Sequence, residues 1–235
     1  MEMNGNEMKI NYSKYLCLTA VICLTLVTGC KKDKLSSVSD IDGNSYDIVT
    51  IGTQTWMGEN LKVTRYRNGD SIFKIPSISG FPDRNLQGIT GTYFSYDFNE
   101  EMSKTYGYLY NGNAVTDSRQ ICPVGWHVPS DAEWATLCAY LGGEEIAGKK
   151  LKETGSVHWK NQNMDVKNEY RFTALPGGYL DLNNQILGFK NIGIEGHFWE
   201  STGNRKWYMM AAASNIYHPI YYYKTDGYSI RCIRD

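Results

Sequence analysis

The feature that most constrains this chain is an apolar run, Tyr15 to Val27, that leads directly into Thr28-Gly29-Cys30. Lys9 and Lys14 precede the run, and a basic segment before a short apolar one is the pattern of a secretory signal peptide. The run is shorter than the roughly 20 residues that a membrane-spanning helix needs. The sequence therefore predicts a chain that is exported and folds outside the cytoplasm.

The end of this leader resembles a lipobox, in which a small residue before cysteine lets a lipoprotein signal peptidase cut. Cys30 would then carry a diacylglycerol and usually a third acyl chain, and two or more chains give stable membrane anchoring. We expect a signal peptide over 1–29, with Met8 as its true start, and a polar tether over 30–39. Lys31 replaces the Asp that retains some lipoproteins in the inner membrane, which favours the outer membrane, with the domain in the periplasm or on the surface.

The composition bounds the partners of the remaining 40–235 segment. The formal net charge of the whole chain is −1 and the basic residues form no stripe, so a nucleic-acid partner is excluded. The chain has 18 Tyr and six Trp, which favour strands and predict aromatic packing in a sheet-rich core. The length of the segment suits one domain with a substantial core.

The strongest local signal is a helix that begins after Ser130. Ser130 with Glu133 three residues later forms a capping box. An apolar stripe follows at helical spacing, and Gly142-Gly143 ends the helix because glycine accepts a left-handed backbone. The stripe consists of Trp134, Leu137, Cys138 and Leu141. A second helix is expected from Glu144 or Glu145 to Lys152.

Strand candidates flank these two mid-chain helices, an order that favours an α+β fold over an alternating α/β fold. Asp40 to Asn44 is interpreted as a hairpin turn, since no Glu stands where a calcium loop of the EF-hand type needs one. A long loop region is expected over 68–92. The strand candidates are 46–51, 53–57, 92–98, 106–110, 179–182, 197–201, 206–214, 217–224 and 228–233, and Tyr228, Ile230 and Cys232 share one face of the last.

Three cysteines remain after processing, Cys122, Cys138 and Cys232. An oxidising compartment allows one disulfide, and the odd number leaves one thiol free. Cys138 lies on the apolar face of the predicted helix, where it behaves as a small hydrophobe. A Cys122–Cys232 bridge is preferred, and a Cys122–Cys138 bridge is the competing choice.

Five segments together make the chain resemble the Fibrobacter succinogenes major paralogous domain family, whose members are mostly lipoproteins or secreted proteins of the Fibrobacter and Bacteroides groups. The segments are 40–61, 106–111, 122–134, 175–178 with 198–202, and 229–235. The resemblance implies a single domain similar to C-type lectin-like and formylglycine-generating-enzyme folds, with short twisted antiparallel sheets and long loops, and a Cys122–Cys232 bridge. It implies no biochemical activity. Two departures, Gly112-Asn113 where the family usually has an aromatic residue and Glu200 where it usually has Ser, suggest an altered pocket nearby.

The catalytic patterns that we sought do not occur. His127 is interpreted as a packed, hydrogen-bonded residue at the helix entrance, since a lone His without partners is rarely a site. The spacing of the histidines fits no zincin, and neither a Gly-x-Ser-x-Gly elbow nor a phosphate loop is found. The copper oxidase chemistry of formylglycine-generating enzymes needs paired thiols, but only Cys138 is free. We therefore expect no enzyme, no metal and no cofactor.

The irregular region 153–205 is the expected binding face, because aromatic rings can stack on sugars and carboxylates can accept hydroxyl hydrogen bonds. Trp199 is expected in the core, whereas core and ligand-binding interpretations of Trp159 remain equally open. The sequence predicts a surface binding or adhesion module for a glycan, a peptide or an envelope protein. The alternatives are a structural envelope component and, least favoured, a carbohydrate-active enzyme. The candidate ligand-binding residues are Trp159, Tyr179, Asp181, His197 and Glu200.

Overall fold

The computed structural model describes residues 36–77, 91–160, 165–182, 188–219 and 223–235. The predicted signal peptide, the predicted acylation site Cys30 and the first part of the predicted tether lie outside these ranges. Residues from 36 onward belong to one compact unit. In this described part of the chain, no helix combines the length and apolarity needed to cross a membrane.

The described residues form four α-helices, α1 (Glu100–Tyr106), α2 (Gly112–Thr116), α3 (Asp131–Tyr140) and α4 (Glu144–Leu151). The predicted pair corresponds to α3 and α4, and both are confirmed close to their expected bounds. The short helices α1 and α2 were not expected. Each begins at an asparagine whose side chain accepts a hydrogen bond from a backbone N–H of the first turn, Asn99 for α1 and Asn111 for α2.

Helix α3 forms as its local signal predicts. The Ser130 hydroxyl accepts from the Glu133 backbone N–H, and the Glu133 carboxylate accepts from the Ser130 backbone N–H at 2.7 Å, so both halves of the capping box are made. The stripe Trp134, Leu137, Cys138 and Leu141 is buried throughout. Gly142 and Gly143 follow with positive φ and end the helix.

Thirteen short strands are found in the described part of the chain. They are β1 (Ser37–Ser39), β2 (Ser45–Ile51), β3 (Gln54–Met57), β4 (Phe73–Lys74), β5 (Thr92–Phe94), β6 (Leu109–Tyr110), β7 (Trp126–His127), β8 (Tyr179–Asp181), β9 (Gly188–Lys190), β10 (Glu195–Trp199), β11 (Lys206–Met210), β12 (Ile216–Tyr217) and β13 (Ile233–Arg234). With the four helices they make a mixed α+β fold, as expected.

The largest sheet is antiparallel, with strand order β1-β2-β3-β13-β7. The predicted hairpin turn joins β1 to β2, and Gly43 adopts a φ of 84° there. Strand β1 lies in the part of the chain that was expected to be tether, because Ser37 to Ser39 pair with Ser45 to Asp47. The folded domain therefore begins before residue 40.

Three smaller sheets have the orders β10-β11-β12, β4-β5-β6 and β8-β9. Several predicted strands are shorter than expected. The strand expected over 92–98 stops at Phe94, because Tyr96–Phe98 forms a 3-10 turn in which Asp97 has a φ of 52°. From Tyr228 the chain makes single bridges, one from Tyr228 to Tyr110 of β6 and one from Ser229 to Phe198 of β10, and only Ile233 and Arg234 form a regular strand.

Two large cores divide the apolar residues. One surrounds the Cys122–Cys232 disulfide and contains Tyr228 and Ile230, which confirms the preferred pairing and the shared face of the final segment. The other is built on Trp56, Trp134 and Trp207 and contains Cys138, whose thiol is free. Burial raises the pKa of Cys138 to about 12, so this sulfur is an unreactive core residue.

Candidate functional site

The most distinctive chemical feature is a stack of rings across the β10-β11-β12 sheet. His197, Tyr208 and Tyr217 lie directly opposite one another in the strand register. The His197 and Tyr208 rings are 5.0 Å apart and nearly parallel, and Tyr208 stacks on Tyr217 at the same distance. The Tyr228 ring also stacks on His197, at 5.5 Å. We call this surface, with Tyr179, the ring face.

Strand alternation explains why the rings collect on one side. In β10 and β11, Phe198, Trp207 and Met209 point into the tryptophan core, so the alternate positions His197 and Tyr208 must point the other way. Tyr208 and Tyr217 are half-buried, whereas His197 is only 3% exposed. The ring face is therefore a partly covered layer on the sheet.

Two consecutive glycines bring Tyr179 to this layer. Gly178 has a φ of 65° and bridges to Gly196 of β10, and a side chain on Gly178 would collide with the backbone of Lys190. The close approach places the Tyr179 ring 4.5 Å from His197. The Leu-Pro-Gly-Gly segment thus joins β8 to the edge of the ring face.

A buried amine lies under the rings. Lys206 is 5% exposed, and its Nζ lies 4.5 Å from the centre of the Tyr228 ring, 4.9 Å from that of Tyr179 and 5.5 Å from that of Tyr208. Nζ also lies 3.4 Å from the Tyr228 hydroxyl, which donates to Asp226 at 2.9 Å. Burial lowers the pKa of Lys206 to about 8, so the ammonium still predominates at neutral pH.

Carboxylates surround the amine. Asp181 and Asp226 are buried and Glu195 is half-buried. Lys190 pairs with Asp181 at 2.8 Å. With Lys206 this makes three carboxylates against two ammonium groups, so the cluster carries one net negative charge.

His197 is neutral within this cluster. Burial lowers the pKa of His197 to about 4, against the opposing effect of its 2.8 Å contact with the Glu195 carboxylate. At neutral pH, Nε2 carries the proton and donates it to Glu195, which leaves Nδ1 as an acceptor. Among the described residues, no group donates a hydrogen bond to this buried Nδ1.

The structure brings three of the five candidate ligand residues together, Tyr179, Asp181 and His197. The sequence interpretation missed Lys206 and Tyr228. Lys206 follows the same alternation as Tyr208 in β11, so the strand pattern alone could have placed it beside that ring. Tyr228 reaches the site through a long-range bridge between Ser229 and Phe198, which has no local signal.

Trp159, the fourth candidate, is a core residue. Its side chain is fully buried, and its indole N–H donates to the carbonyl of Ala174 at 2.9 Å. The Lys152 ammonium lies 5.2 Å from the ring centre and donates to the carbonyls of Met210, Ala211 and Ala213. A ring enclosed in this way cannot stack on an external ligand. Trp199 is also buried, as expected, and donates to Tyr110.

Glu200, the fifth candidate, shapes a turn. Its buried carboxylate accepts from the backbone N–H and the hydroxyl of Thr202, and its carbonyl accepts from the N–H of Gly203. A side chain on Gly112 would collide with the carbonyl of Gly203. The two departures from the family pattern therefore meet, because the turn held by Glu200 packs on the glycine that begins α2.

His127 is hydrogen-bonded at the entrance of α3, as was expected. Its Nε2 contacts Glu133 at 2.9 Å and its Nδ1 contacts Asp235 at 2.6 Å. Burial lowers the pKa of His127, but the hydrogen bonds to both carboxylates outweigh burial and raise it above the ordinary value. The residue lines an open cavity of about 520 Å³ beside Cys122 and Trp126. With both nitrogens occupied, the ring joins β7, α3 and the final segment.

The other two histidines also contact carboxylates, His158 that of Glu153 and His218 that of Glu144. Across the described ranges, no group of three or more His, Cys, Asp or Glu side chains is arranged to hold a metal ion. The described chemistry is that of hydrogen bonds and charge on a layer of rings.

The chain matches the family model described as the Fibrobacter succinogenes major domain over residues 49–234. That range contains the ring face and both cysteines of the disulfide. No curated protein and no solved structure matches the chain. The chain belongs to the Fibrobacter succinogenes major domain family.

Proposed function

We propose that this protein is a lipid-anchored component of the bacterial cell envelope whose domain is a non-catalytic binding module, with the ring face as its recognition surface. The observation that carries the proposal is the buried polar cluster under half-exposed tyrosines, Lys206 and His197 with Asp181 and Asp226. Buried charged groups are costly unless they serve specificity or function, and clusters of perturbed groups collect at functional sites.

The lack of catalysis is part of the proposal. A general base or nucleophile needs an available atom with a matched pKa. The contacts of His127 occupy both of its nitrogens, and Cys138 is a buried thiol with a raised pKa. Neither residue fits a catalytic role. His197 has an available nitrogen, but burial lowers its pKa to about 4, so it is a weak base at neutral pH. A carbohydrate-active enzyme therefore remains the least favoured alternative, and a structural envelope component without a ligand is the competing proposal.

The leader and Cys30 are the basis for the proposed envelope location. We also propose that the domain has a C-type lectin-like arrangement. In support of the latter, strands from both ends of the described chain, β2, β3 and β13, share one sheet, and buried residues of all three lie in one core with residues of α3 and α4. The lipid would attach upstream of β1, so that the domain follows its anchor closely. The fold type is tested by an experimental structure.

Two measurements test the proposed function. Mass spectrometry of the native protein should find an acylated Cys30 as its first residue, and Cys30→Ser should move the protein out of the membrane fraction. A panel of immobilised glycans, peptides and envelope extracts should then capture the full chain in mild detergent. Tyr140 is an exposed tyrosine on α3 and serves as the control. If Tyr208→Ala abolishes capture and Tyr140→Ala preserves it, the result would support the ring face as the recognition surface. No capture by any arm would favour the structural alternative.

A further inference from the structure

We propose that the ligand of the ring face is a neutral, hydroxyl-rich glycan, one hydroxyl of which donates a hydrogen bond to Nδ1 of His197. The inference deepens the proposed function and rests on it. His197 and Lys206 contact the same three rings, those of Tyr179, Tyr208 and Tyr228. An acceptor and a donor therefore share one aromatic enclosure.

The acceptor requires an occupant. His197 is 3% exposed and its Nδ1 has no donor among the described residues. A buried polar atom without a partner costs free energy that a bound donor would recover. The other nitrogen cannot serve instead, because Nε2 donates to Glu195. The site is therefore incomplete at one defined atom.

The charged groups around His197 favour a hydroxyl as the group that donates to Nδ1. An ammonium ligand could donate to Nδ1 but would approach Lys206, whose own ammonium lies on the same rings. A carboxylate ligand has no proton to donate, and it would meet Asp181, Glu195 and Asp226, which outnumber the nearby ammonium groups by one. A hydroxyl both donates and accepts, so it can serve His197 and Lys206 together.

The arrangement of the rings also determines how a sugar would bind. The His197 and Tyr208 rings are parallel to within 6°, and Tyr208 and Tyr217 to within 26°. Because neighbouring rings in this stack cover each other's faces, a sugar would meet mainly their edges. Recognition here depends on hydrogen bonds between a polyol and these edges, and stacking of a sugar on an open ring is not its basis.

The test compares neutral glycans with glycans carrying uronic or sialic acids, and with peptides, for binding to the full chain in mild detergent. Neutral glycans should bind, and acidic glycans and peptides should not. His197→Phe keeps a ring in the stack but removes the acceptor, so affinity should fall at least about tenfold, as expected for an unpaired polar group. His218→Phe makes the same replacement in an exposed histidine stacked on Trp207 and should bind as the unchanged chain does.

A second measurement follows Nδ1 of His197 directly. In the chain labelled with ¹⁵N, the Nδ1 resonance of His197 should shift when the tightest neutral glycan is added, while that of His218 should not. Thermal unfolding of both variants checks that each is folded. Three results would overturn this inference while leaving a binding module in place. They are a preference for acidic glycans or peptides, an unchanged affinity of His197→Phe, and an Nδ1 resonance that does not move, which would indicate a trapped water. Failure of every arm would remove the proposed function itself.

Discussion

Breaking the Cys122–Cys232 disulfide should lower the free energy of unfolding by about 4.8 kcal/mol, a value from the chain-entropy relation for this loop length. The two cysteines are separated by 110 residues, so the reduced unfolded chain gains much freedom. The cysteines are 2% and 0% exposed. Reduction therefore leaves two buried thiols in the folded state, and these thiols gain no contact with water that would offset the loss of the bond.

The six tryptophans are all buried, which makes their fluorescence a direct probe of unfolding in urea. With a urea dependence of about 2 kcal/mol per molar, the loss corresponds to a midpoint lower by roughly 2 M. The double variant Cys122→Ala/Cys232→Ala should show a similar midpoint in the presence or absence of reductant. Cys138→Ala, which leaves the bridge intact, should retain the response to reductant.

The same preparation gives a covalent check. After unfolding without reductant, iodoacetamide should modify Cys138 but neither Cys122 nor Cys232, and reduction should expose both to alkylation. Alkylation of Cys122 in the unreduced chain, or a midpoint that reductant does not move, would refute the reasoning about this bridge and the oxidising compartment with it.

Further predictions concern residues with defined burial. Arg231→Met should lower the free energy of unfolding by about 3 kcal/mol, because buried backbone carbonyls and the Asn60 amide oxygen lose their donor. Arg234 is exposed, so Arg234→Met should change the free energy of unfolding in urea by less than about 0.5 kcal/mol, and equal effects of the two variants would contradict this reasoning. Trp159→Ala should cost about 3–5 kcal/mol in the same assay, and native-like stability with impaired ligand capture would show instead that this ring binds ligand. The pKa of His127 is raised in the folded state, so its contribution is fully present below its unfolded pKa of about 6.5 and is lost as pH rises through the folded value. Thermal unfolding from pH 6 to 8.5 should show that decline, and His127→Gln should remove the part due to this residue; an identical pH dependence in both chains would be evidence against it.

Local signals predicted local structure well. Ser130 and Glu133 satisfy each other's backbone groups within one turn, so the start of α3 could be located without tertiary information. Helix α1 was missed although Asn99 and two following glutamates form a comparable start. It is short, and the aromatic residues around it favoured a strand interpretation.

In the candidate site, too, local signals predicted some residues, and residues that depend on long-range packing were not predicted. Tyr179 and His197 were predicted because they fall within the irregular region 153–205 that was expected to form the binding face, and a tight glycine contact then brings them together. Whether Trp159 faces solvent or the core depends on Ala174 and Lys152, which pack on it only after the chain folds. No pattern within a few residues contains that information. Tyr228 was missed as a site residue for the same reason.

Strand β13 comes far after β3 and β7 in the sequence, yet it lies between them inside the large sheet. During synthesis or passage through a membrane, β3 is complete long before the strand that covers its free edge arrives. An uncovered edge of this kind can pair with other chains and aggregate. A holding chaperone during this interval should raise the yield of folded protein, and a chain cut short before β13 should accumulate as an insoluble species.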